Sequence, residues 1–332
     1  MVFVTINGMK VLVTGGAGYI GSFMAKRLID DGHEVVIADS LERGHELSLD
    51  KRAEFKKGNL QEKSFIEELF SQNTFDMVMH FAAFISVAES MQKPGLYFNN
   101  NVFTTISLLD AMKEHGVKKF IFSSTGTVYG TPTVNPIPET HTKNPENPYA
   151  ESKLTVEKIL HWYYVSHEIG SAVLRYFNAS GAATDGSLGE NHDPETHLIP
   201  NAIKAALTNS EFNLYGDNYE TRDGTCIRDY IHVLDLVEAH VLTVKKLDEK
   251  NDEYIYNVGT GRGSTNKEIV DMVKKISGSD FPVSIKERRP GDVAETVADP
   301  TKIKEELGFE PRFSDLETIV KTAWEWHKRD VK

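Results

Sequence analysis

A glycine-rich turn near the start of the chain constrains the fold more than any other feature. Gly15, Gly18 and Gly21 stand at G-x-x-G-x-x-G spacing, between the β-branched run Lys10–Thr14 and the helical pattern Ser22–Asp31. The first glycine permits a tight turn, the second lets the backbone approach a pyrophosphate, and the third lets the helix pack closely on the strand. Glycines alone would also fit a simple tight turn. Their place between a strand and a helix favours a dinucleotide site, with the anion at the helix N-terminus.

Strands and helices alternate along the first half of the chain. Short apolar runs predict the strands, and longer periodic runs between them predict the helices. The predicted strands are Glu34–Ala38, Glu54–Lys57, Asp76–Phe81, Lys119–Ser123 and Val173–Phe177, and the predicted helices are Ser64–Gln72, Asn99–Lys113 and Tyr149–His167. This alternation predicts an α/β fold built on a doubly wound parallel sheet (Rossmann) with right-handed crossovers. In such a sheet, ligands bind at the carboxyl ends of the strands.

The second half of the chain has a different character. After Ala179 the loops are more polar and the periodic segments are shorter, which predicts a smaller C-terminal α/β substrate lobe. The helix Val233–Leu247 and the strand Tyr254–Val258 are expected to return to the nucleotide domain. We therefore expect a Rossmann domain of residues 9–177 plus about 230–262, and a second lobe of about 178–229 plus 263–332.

Asp39 follows the second predicted strand, at the ligand edge of the sheet. A carboxylate there accepts hydrogen bonds from the adenosine ribose hydroxyls and repels a 2′-phosphate. This favours NAD over NADP as the cofactor, although Arg43 lies close by in sequence. A solvated loop acid is the alternative interpretation of Asp39.

Tyr149 and Lys153 are four residues apart on a predicted helix, so their side chains share one face. A lysine ammonium near a phenol favours the phenolate and lowers the phenol pKa, which makes the tyrosine a usable general base. The pattern is short and also fits two ordinary surface residues. Thr125, at the end of the preceding strand, offers a hydroxyl that could share a hydrogen bond with a substrate oxygen. Together these three residues predict a site for proton and hydride transfer beside the dinucleotide.

Composition excludes several other classes of protein. The 332 residues carry a formal net charge of −12, which argues against nucleic-acid binding. Cys226 is the one cysteine, so an internal disulfide is impossible and we predict no metal site. No apolar run approaches the ~20 residues of a membrane span, and the first eight residues do not resemble a signal peptide. We therefore expect a cytoplasmic protein with no membrane partner, and both Met1 and Met9 stay open as the native start.

Several longer segments carry a resemblance to a known family. They are Val11–Ser22, His80–Ala83, Phe120–Thr125, Val128–Gly130, Tyr149–Lys153, Arg175–Asn178, Asp223–His232, Tyr256–Gly259 and Arg288–Asp292. In their order along the chain, these segments resemble the extended branch of the short-chain dehydrogenase/reductase superfamily. More specifically, they are similar to the UDP-glucose 4-epimerases (UDP-galactose 4-epimerases). The glycine turn and the Tyr/Lys pair are shared by the whole superfamily, whereas Arg228–His232 and Arg289–Asp292 are more specific.

The resemblance implies reversible epimerisation at C4 of a UDP-hexose, UDP-glucose or UDP-galactose, through a transient 4-keto sugar with tightly bound NAD. Tyr149 would take the proton from the sugar 4-hydroxyl, and Lys153 would hold the nicotinamide ribose and keep the Tyr149 pKa low. Thr125 stands where the family often has serine, and Asn59 where it commonly has aspartate beside the adenine. The residues that the resemblance places at the cofactor are Gly15, Gly18, Tyr19, Ile20, Gly21, Asp39, Asn59, Leu60, Phe81, Ala82, Ala83, Asn100, Ser123, Tyr149, Lys153 and Phe177.

The resemblance also implies the substrate contacts. They are Thr125, Asn178, His197, Leu198, Asn213, Leu214, Tyr215, Arg228, Tyr230, Arg289, Asp292 and Thr296. Two arginines, Arg228 and Arg289, suit a diphosphate because guanidinium binds phosphate oxygens in a bidentate manner. The alternative for each is a surface ion pair, and for Asp292 a turn residue instead of a uridine ribose ligand. His197 stands where some members have asparagine.

Two further expectations rest on the resemblance. Thr296 occupies a position where bulky residues narrow the sugar pocket in some members. We therefore expect this chain to have room for the N-acetyl group of UDP-GlcNAc or UDP-GalNAc and to accept these sugars as well. Family members usually form homodimers through a four-helix contact, here the helices Asn100–Lys113 and Tyr149–His167.

Other classes stay open at this point. A different NAD-dependent nucleotide-sugar epimerase, a decarboxylase or a 4,6-dehydratase would start with the same oxidation at C4. The dehydratases resemble Thr-Asp-Glu where this chain has Thr125, Gly126 and Thr127, so the missing acid pair argues against dehydration. A non-catalytic NAD-sensing protein would not need Tyr149 and Lys153 together.

Overall fold

The computed structural model describes residues 8–289 and 291–329. Within them the chain divides into two compact units. The first unit comprises the residues up to Gly130 together with Lys143–Arg175 and His240–Tyr256. The second comprises Thr131–Thr142, Tyr176–Ala239 and the described residues from Asn257 onwards.

A seven-stranded parallel sheet forms the centre of the first unit. Its strands are β1 (Lys10–Thr14), β2 (Glu34–Asp39), β3 (Glu54–Lys57), β4 (Met77–His80), β5 (Lys119–Thr125), β6 (Gly170–Tyr176) and β10 (Glu253–Val258). Their spatial order is β10-β6-β5-β4-β1-β2-β3. The register aligns the carboxyl ends of neighbouring strands, with Thr14 opposite both Ala38 and His80. The predicted doubly wound α/β fold is confirmed.

Helices accompany this sheet. They are α1 (Tyr19–Asp30), α2 (Lys63–Gln72), α3 (Val87–Gln92), α4 (Pro94–Tyr97), α5 (Thr104–Glu114), α6 (Pro148–His167) and α8 (Val233–Glu249). Apolar side chains of α2, α5 and α6, such as Ile66, Leu108 and Leu160, pack with sheet residues such as Phe120 in one buried cluster. The burial of these apolar faces is the main source of stability for the unit.

Two helices differ from their predicted bounds. α1 begins at Tyr19, three residues before the predicted start at Ser22, so Gly21 lies inside its first turn instead of preceding it. The predicted helix Asn99–Lys113 is also longer and less regular: a π-helical turn, Phe98–Phe103, joins α4 to α5. In that turn the buried Asn101 side chain donates to the Phe84 carbonyl at 3.0 Å and accepts from the Phe84 amide at 2.9 Å.

The second unit is built from small sheets and helices. Its strands are β7 (Asn178–Ser180), β8 (Phe212–Tyr215), β9 (Ile227–His232), β11 (Gly263–Thr265), β12 (Val283–Lys286) and β13 (Glu295–Thr296), and its helices are α7 (Leu198–Thr208), α9 (Asn266–Ser277), α10 (Thr301–Leu307) and α11 (Leu316–His327). β9 pairs with β7, β11 and β13, and β8 pairs with β12. The helices α7, α9 and α11 pack together around buried residues such as Ile203, Ile269 and Ile319.

Local signals explain where the helices of both units begin. Thr265 and Glu268 form a capping box at the start of α9, and the Asn147 side chain caps α6 by accepting from the Ala150 amide at 2.9 Å. Pro148 is the first residue of α6, where its missing N–H leaves no bond unmade. Within the described ranges, no helix is long and apolar enough to cross a membrane.

Candidate active site

The glycine turn lies between β1 and α1 and leaves no room for side chains. Gly15 has a φ of +71°, and a Cβ there would stand 2.5 Å from the Ala82 amide nitrogen. A Cβ on Gly21 would meet the Gly15 carbonyl oxygen at 2.2 Å. Gly18 precedes α1, and no side chain caps the helix there. The first N–H groups of α1 therefore form an anion site of the kind that binds a pyrophosphate.

Asp39 ends β2 beside this turn. Its carboxylate accepts hydrogen bonds from the Ala17 amide at 3.0 Å and the Leu41 amide at 2.8 Å. Burial raises the pKa of the Asp39 carboxyl, and these two backbone donors oppose the rise. The side chain is thus a fixed acceptor at the ligand edge. Arg43 pairs with Glu89 at 3.1 Å, so its charge already has a partner.

Other predicted cofactor residues lie at the same strand ends. Tyr19 and Ile20 form the first turn of α1, Leu60 is buried, and Phe81, Ala82 and Ala83 follow β4. The Asn59 side-chain oxygen already accepts from the Gln61 amide at 2.9 Å, and one of its two lone pairs remains for a ligand.

Asn100 and Phe177 are two further predicted cofactor residues. The Asn100 side chain accepts from Gln61 at 3.1 Å and donates to Asn101 at 3.0 Å. Phe177 follows β6 and lies in the second unit.

Tyr149 and Thr125 form the centre of the candidate site. β5 ends at Thr125, and Tyr149 is the second residue of α6. Their side chains share a hydrogen bond, and the Thr125 hydroxyl also lies 2.9 Å from that of Thr127. The structure therefore brings together the phenol and the hydroxyl that the sequence predicted as partners.

Lys153 follows one helical turn later, but its ammonium points elsewhere. It donates to the Ser123 carbonyl at 2.8 Å and lies 4.8 Å from the centre of the Phe122 ring. Burial lowers the pKa of Lys153 to about 7, and the charge of Glu157 opposes this change.

The predicted effect of Lys153 on Tyr149 is not found in this arrangement. Burial raises the pKa of Tyr149 to about 12, and only the hydrogen bond with Thr125 acts in the opposite direction. The physical reason is that the Lys153 ammonium is held by the Ser123 carbonyl. The spacing of four residues placed the two side chains on one face but did not determine which acceptor the lysine would find.

A buried ion pair between α6 and β6 was not predicted from the sequence. Glu157 accepts from the Ser124 hydroxyl at 2.6 Å and from Arg175 at 3.0 Å. Arg175 also donates to the Tyr129 hydroxyl at 2.9 Å. The network fixes the end of β5 to α6, and hence Thr125 to Tyr149. No spacing along α6 could have found this pair, because Arg175 lies on β6.

The predicted substrate residues belong to the second unit, apart from Thr125. Arg228, on β9, donates to the carbonyls of Ile227 at 2.9 Å and Val293 at 2.7 Å, and lies 3.8 Å from the Asp292 carboxylate. Thr296, on β13, pairs with Arg228 in the parallel register. The structure therefore brings Arg228, Asp292 and Thr296 together.

A second group of predicted substrate residues lies on β8 and just after its partner strand β12. The guanidinium of Arg289 stacks on the Tyr215 ring at 4.0 Å. Asn213 is exposed on the same strand, and Leu214 is buried in the core of the unit. Leu214 can therefore contact a ligand only through its backbone, whereas Arg289 presents its charge on an aromatic surface.

The remaining predicted residues lie along β7, β9 and the start of α7. The Asn178 side chain donates to the Asp229 carbonyl at 2.9 Å. Burial raises the pKa of Tyr230 to about 12, and the charge of Arg228 opposes this rise. Leu198 begins α7, and His197 is the residue before it, without a capping hydrogen bond from its side chain. Burial lowers the pKa of His197, but the charge of Glu190 and hydrogen bonds with Glu190 and Glu195 outweigh it and raise the pKa to about 10.

Comparison with known proteins shows close relatives along the whole chain. A UDP-glucose 4-epimerase from Lacticaseibacillus casei is 45% identical over 321 residues, which are 96% of this chain and 97% of that protein. The crystal structure of the UDP-glucose 4-epimerase from Brucella ovis in complex with NAD has a TM-score of 0.92 at 45% identity, covering 96% of this chain and 98% of that one. A UDP-Glc/GlcNAc 4-epimerase from Campylobacter jejuni is similar with a TM-score of 0.85 at 38% identity, covering 97% and 100%.

Fold and site together define the class: the chain is an extended short-chain dehydrogenase/reductase, with a dinucleotide turn after β1 and a Tyr-x-x-x-Lys pair on α6. A protein-family model described as GDP-mannose 4,6 dehydratase matches residues 12–322. At 45% identity over nearly its full length, the chain belongs to the UDP-glucose 4-epimerase family, as the resemblance predicted.

Proposed function

We propose that this protein catalyses the reversible epimerisation at C4 of a UDP-hexose, interconverting UDP-glucose and UDP-galactose through a transient 4-keto sugar. The observation that carries the proposal is the hydrogen-bonded pair of Tyr149 and Thr125, with Lys153 one turn along α6, in a member of the UDP-glucose 4-epimerase family. NAD, when bound, supplies a hydride acceptor and donor at the sugar carbon and a positive charge that favours the Tyr149 phenolate. The uncapped start of α1 and the buried Asp39 carboxylate fit its pyrophosphate and its ribose.

The chain's own residues move and hold the proton. As the phenolate, the Tyr149 oxygen takes the proton of the sugar 4-hydroxyl, and as the resulting phenol it later returns that proton, so one residue serves as base and then as acid. The Thr125 hydroxyl shares the hydrogen bond and aligns the two oxygens. The Ser123 carbonyl holds Lys153 close to the end of β5, where its amine can bind a ribose hydroxyl. Gly126 and Thr127 follow Thr125, in place of the Asp-Glu pair that the dehydratases have there, which argues against dehydration.

Residues of the second unit supply the diphosphate and uridine contacts in this proposal. Arg228 and Arg289 suit the two phosphate charges on a chain whose net charge is −12. Asp292, close to Arg228, suits a ribose hydroxyl. The His197–Leu198 segment and β8 with Asn213, Leu214 and Tyr215 complete the predicted nucleotide contacts.

The decisive experiment incubates the purified protein with UDP-galactose and no added cofactor, and follows UDP-glucose by chromatography. We expect turnover, because NAD stays bound between cycles. A strict need for added NAD, or net formation of NADH, would point to a dehydrogenase, and loss of carbon dioxide to a decarboxylase.

Tyr149→Phe is the matching variant. It should keep the fold and the NAD but lose roughly 10²-fold or more of the rate, because general acid–base catalysis contributes about that much. Tyr163→Phe on the same helix is the control, since the Tyr163 hydroxyl donates to the Asp110 carboxylate of α5 at 2.7 Å. Near-normal activity of Tyr149→Phe would refute the assigned role.

The enzyme is also proposed to accept UDP-GlcNAc and UDP-GalNAc. Threonine at position 296 is small and partly exposed on β13, and a similar protein is named for both UDP-Glc and UDP-GlcNAc. Thr296→Tyr should then remove turnover of UDP-GlcNAc while UDP-glucose is still epimerised. Good turnover of UDP-glucose without any turnover of UDP-GlcNAc in the unchanged protein would contradict this part.

A cytoplasmic homodimer acting in galactose metabolism completes the proposal. Large apolar side chains are exposed on the two segments expected to form a four-helix contact: Trp162 and Val165 on α6, and Phe103 just before α5. Such clusters of exposed apolar residues commonly mark interfaces between proteins.

A further inference from the structure

Four side chains of the second unit converge in the segment before α7. We call them the Glu–His cluster, which consists of Glu190, His192, Glu195 and His197. Each contributes one nitrogen or oxygen atom, and these four atoms all lie within 4.8 Å of one another. The lack of paired cysteines predicted no metal site, but residues 190–197 also carry the spacing E-x-H-x-x-E-x-H.

The distances within the cluster match those between ligands of a tetrahedral ion. Donors at ~2.0–2.1 Å from a zinc ion are roughly 3.3 Å from each other. The Glu190 Oε1 atom lies 3.1 Å from His192 Nδ1 and 2.8 Å from His197 Nδ1. The Glu195 carboxylate lies 3.0 Å from His197 Nδ1 and 3.8 Å from His192 Nδ1. Shifts of about half an ångström would bring all four donors around one centre.

The backbone holds two of the donors in place. The Glu195 carboxylate accepts from the amides of Thr196 and His197, both at 2.7 Å. The Glu190 carbonyl accepts from the Trp326 indole of α11 at 3.0 Å. Hydrogen bonds from other protein groups to the ligand residues orient metal ligands before the ion binds.

Burial and access are also suited to an ion. The Glu190 side chain is 5% exposed, so its charge needs a permanent partner, while the His197 side chain is 44% exposed and leaves a way in from solvent. Two protonated imidazoles 5.0 Å apart would repel each other. One dication balances both carboxylates and lets both imidazoles be neutral, the form that binds metal.

We propose that the Glu–His cluster is a binding site for a divalent transition metal of tetrahedral preference, Zn²⁺ in the first place. Two nitrogen and two oxygen donors with no thiolate select Zn²⁺ or Co²⁺ over Mg²⁺ and Ca²⁺, which prefer six or more oxygens. All four positions are taken by protein, as in structural metal sites. The ion would fix the segment that leads into α7 and would take no part in the hydride and proton transfer.

The test uses the full-length protein without a histidine tag, freed of metal by a chelator and dialysis. Titration with Co²⁺ should give the intense visible absorption of a tetrahedral ion, saturating at one ion per chain, and Zn²⁺ should displace it. Elemental analysis after gel filtration should find one zinc per chain. Zn²⁺ should also raise the unfolding temperature of the metal-free protein, because it binds only the folded state.

Variants distinguish the cluster from other binding sites. His192→Asn and Glu195→Gln should each weaken Zn²⁺ binding at least tenfold. His161→Asn is the matched control, because His161 also pairs with a glutamate, Glu253 at 3.0 Å, but outside the cluster, and it should bind as tightly as the unchanged protein. A Co²⁺ spectrum of six-coordinate type or no saturable binding by the unchanged protein would overturn the proposal whether or not the variants fold. Equal affinity of all variants would overturn it too.

Discussion

Replacing Glu157 with glutamine removes a buried negative charge and changes little else, because the two side chains have nearly the same size. The side chains of Glu157 and Arg175 are only 4% and 2% exposed, and the carboxylate also accepts from Ser124. The glutamine oxygen can still accept from Ser124. The Arg175 guanidinium, however, loses its buried counter-charge, which is the costly part of breaking such a pair.

The structure sets the size of the effect. Breaking a buried ion pair from one side costs about 3–5 kcal/mol of unfolding free energy. In a domain of about 150–250 residues each kcal/mol lowers the unfolding midpoint by about 2–4 °C, so the midpoint of Glu157→Gln should fall by about 6–20 °C. Thermal and urea unfolding followed by circular dichroism measure this change.

A double-mutant cycle tests the cause. Arg175→Met leaves the opposite charge buried and should destabilise the protein by a similar amount. The double variant Glu157→Gln/Arg175→Met carries neither charge, so its loss should be smaller than the sum of the single losses by at least about 1 kcal/mol. Additive losses, or a loss of less than about 1 kcal/mol for Glu157→Gln alone, would refute a desolvated ion pair at this position.

Three further predictions concern single side chains. Burial lowers the pKa of Lys153 to about 7, whereas an unfolded lysine titrates near ~10.4, so the unfolded chain binds more protons between these two values. The stability of the protein relative to Lys153→Met should therefore rise from pH 7 to pH 10. A constant difference in unfolding midpoints over this range would contradict the burial of the amine. Asp39→Ala removes the carboxylate that repels a 2′-phosphate. The ratio of NAD to NADP affinity, measured by fluorescence titration, should therefore fall about tenfold or more (~1.4 kcal/mol). An unchanged ratio would exclude Asp39 from the ribose site. Trp162→Asp should give a monomer in size-exclusion chromatography with light scattering. Ile285→Asp, which changes a similarly exposed apolar residue on β12, should leave the dimer intact. A dimer in both variants would place the interface elsewhere.

Much of the first unit was predictable from short-range signals. The strands Lys10–Thr14 and Glu54–Lys57 have their predicted bounds, and each is followed directly by a glycine, Gly15 and Gly58, where the chain turns. The alternation of such runs with periodic helices leaves few arrangements other than a parallel sheet. The residues that follow each strand then come to one edge, which is why Asp39 could be recognised.

What the sequence did not predict depends on contacts between distant parts of the chain. Gly21 lies inside the first turn of α1, where the Gly15 carbonyl leaves no room for a Cβ, and no helix signal in the sequence reports that contact. Lys153 binds the Ser123 carbonyl, 30 residues away. The pairing of Glu157 with Arg175 spans a helix and a strand whose register is set only by the folded sheet. Spacing along one helix shows which side chains share a face, whereas their partners are decided by the tertiary fold.

The strand order of the large sheet has a consequence for the nascent chain. β6 lies between β5 and β10, so its outer edge stays open until β10 has left the ribosome. Tyr176 ends β6 and Glu253 begins β10, and at about 5–20 residues per second the roughly 80 residues between them take about 4–16 s to synthesise. During that time the apolar strand around Val173 is an unpaired edge of the kind on which chains aggregate. Yield from rapid overexpression should therefore depend on chaperone supply during synthesis more than on the stability of the finished enzyme.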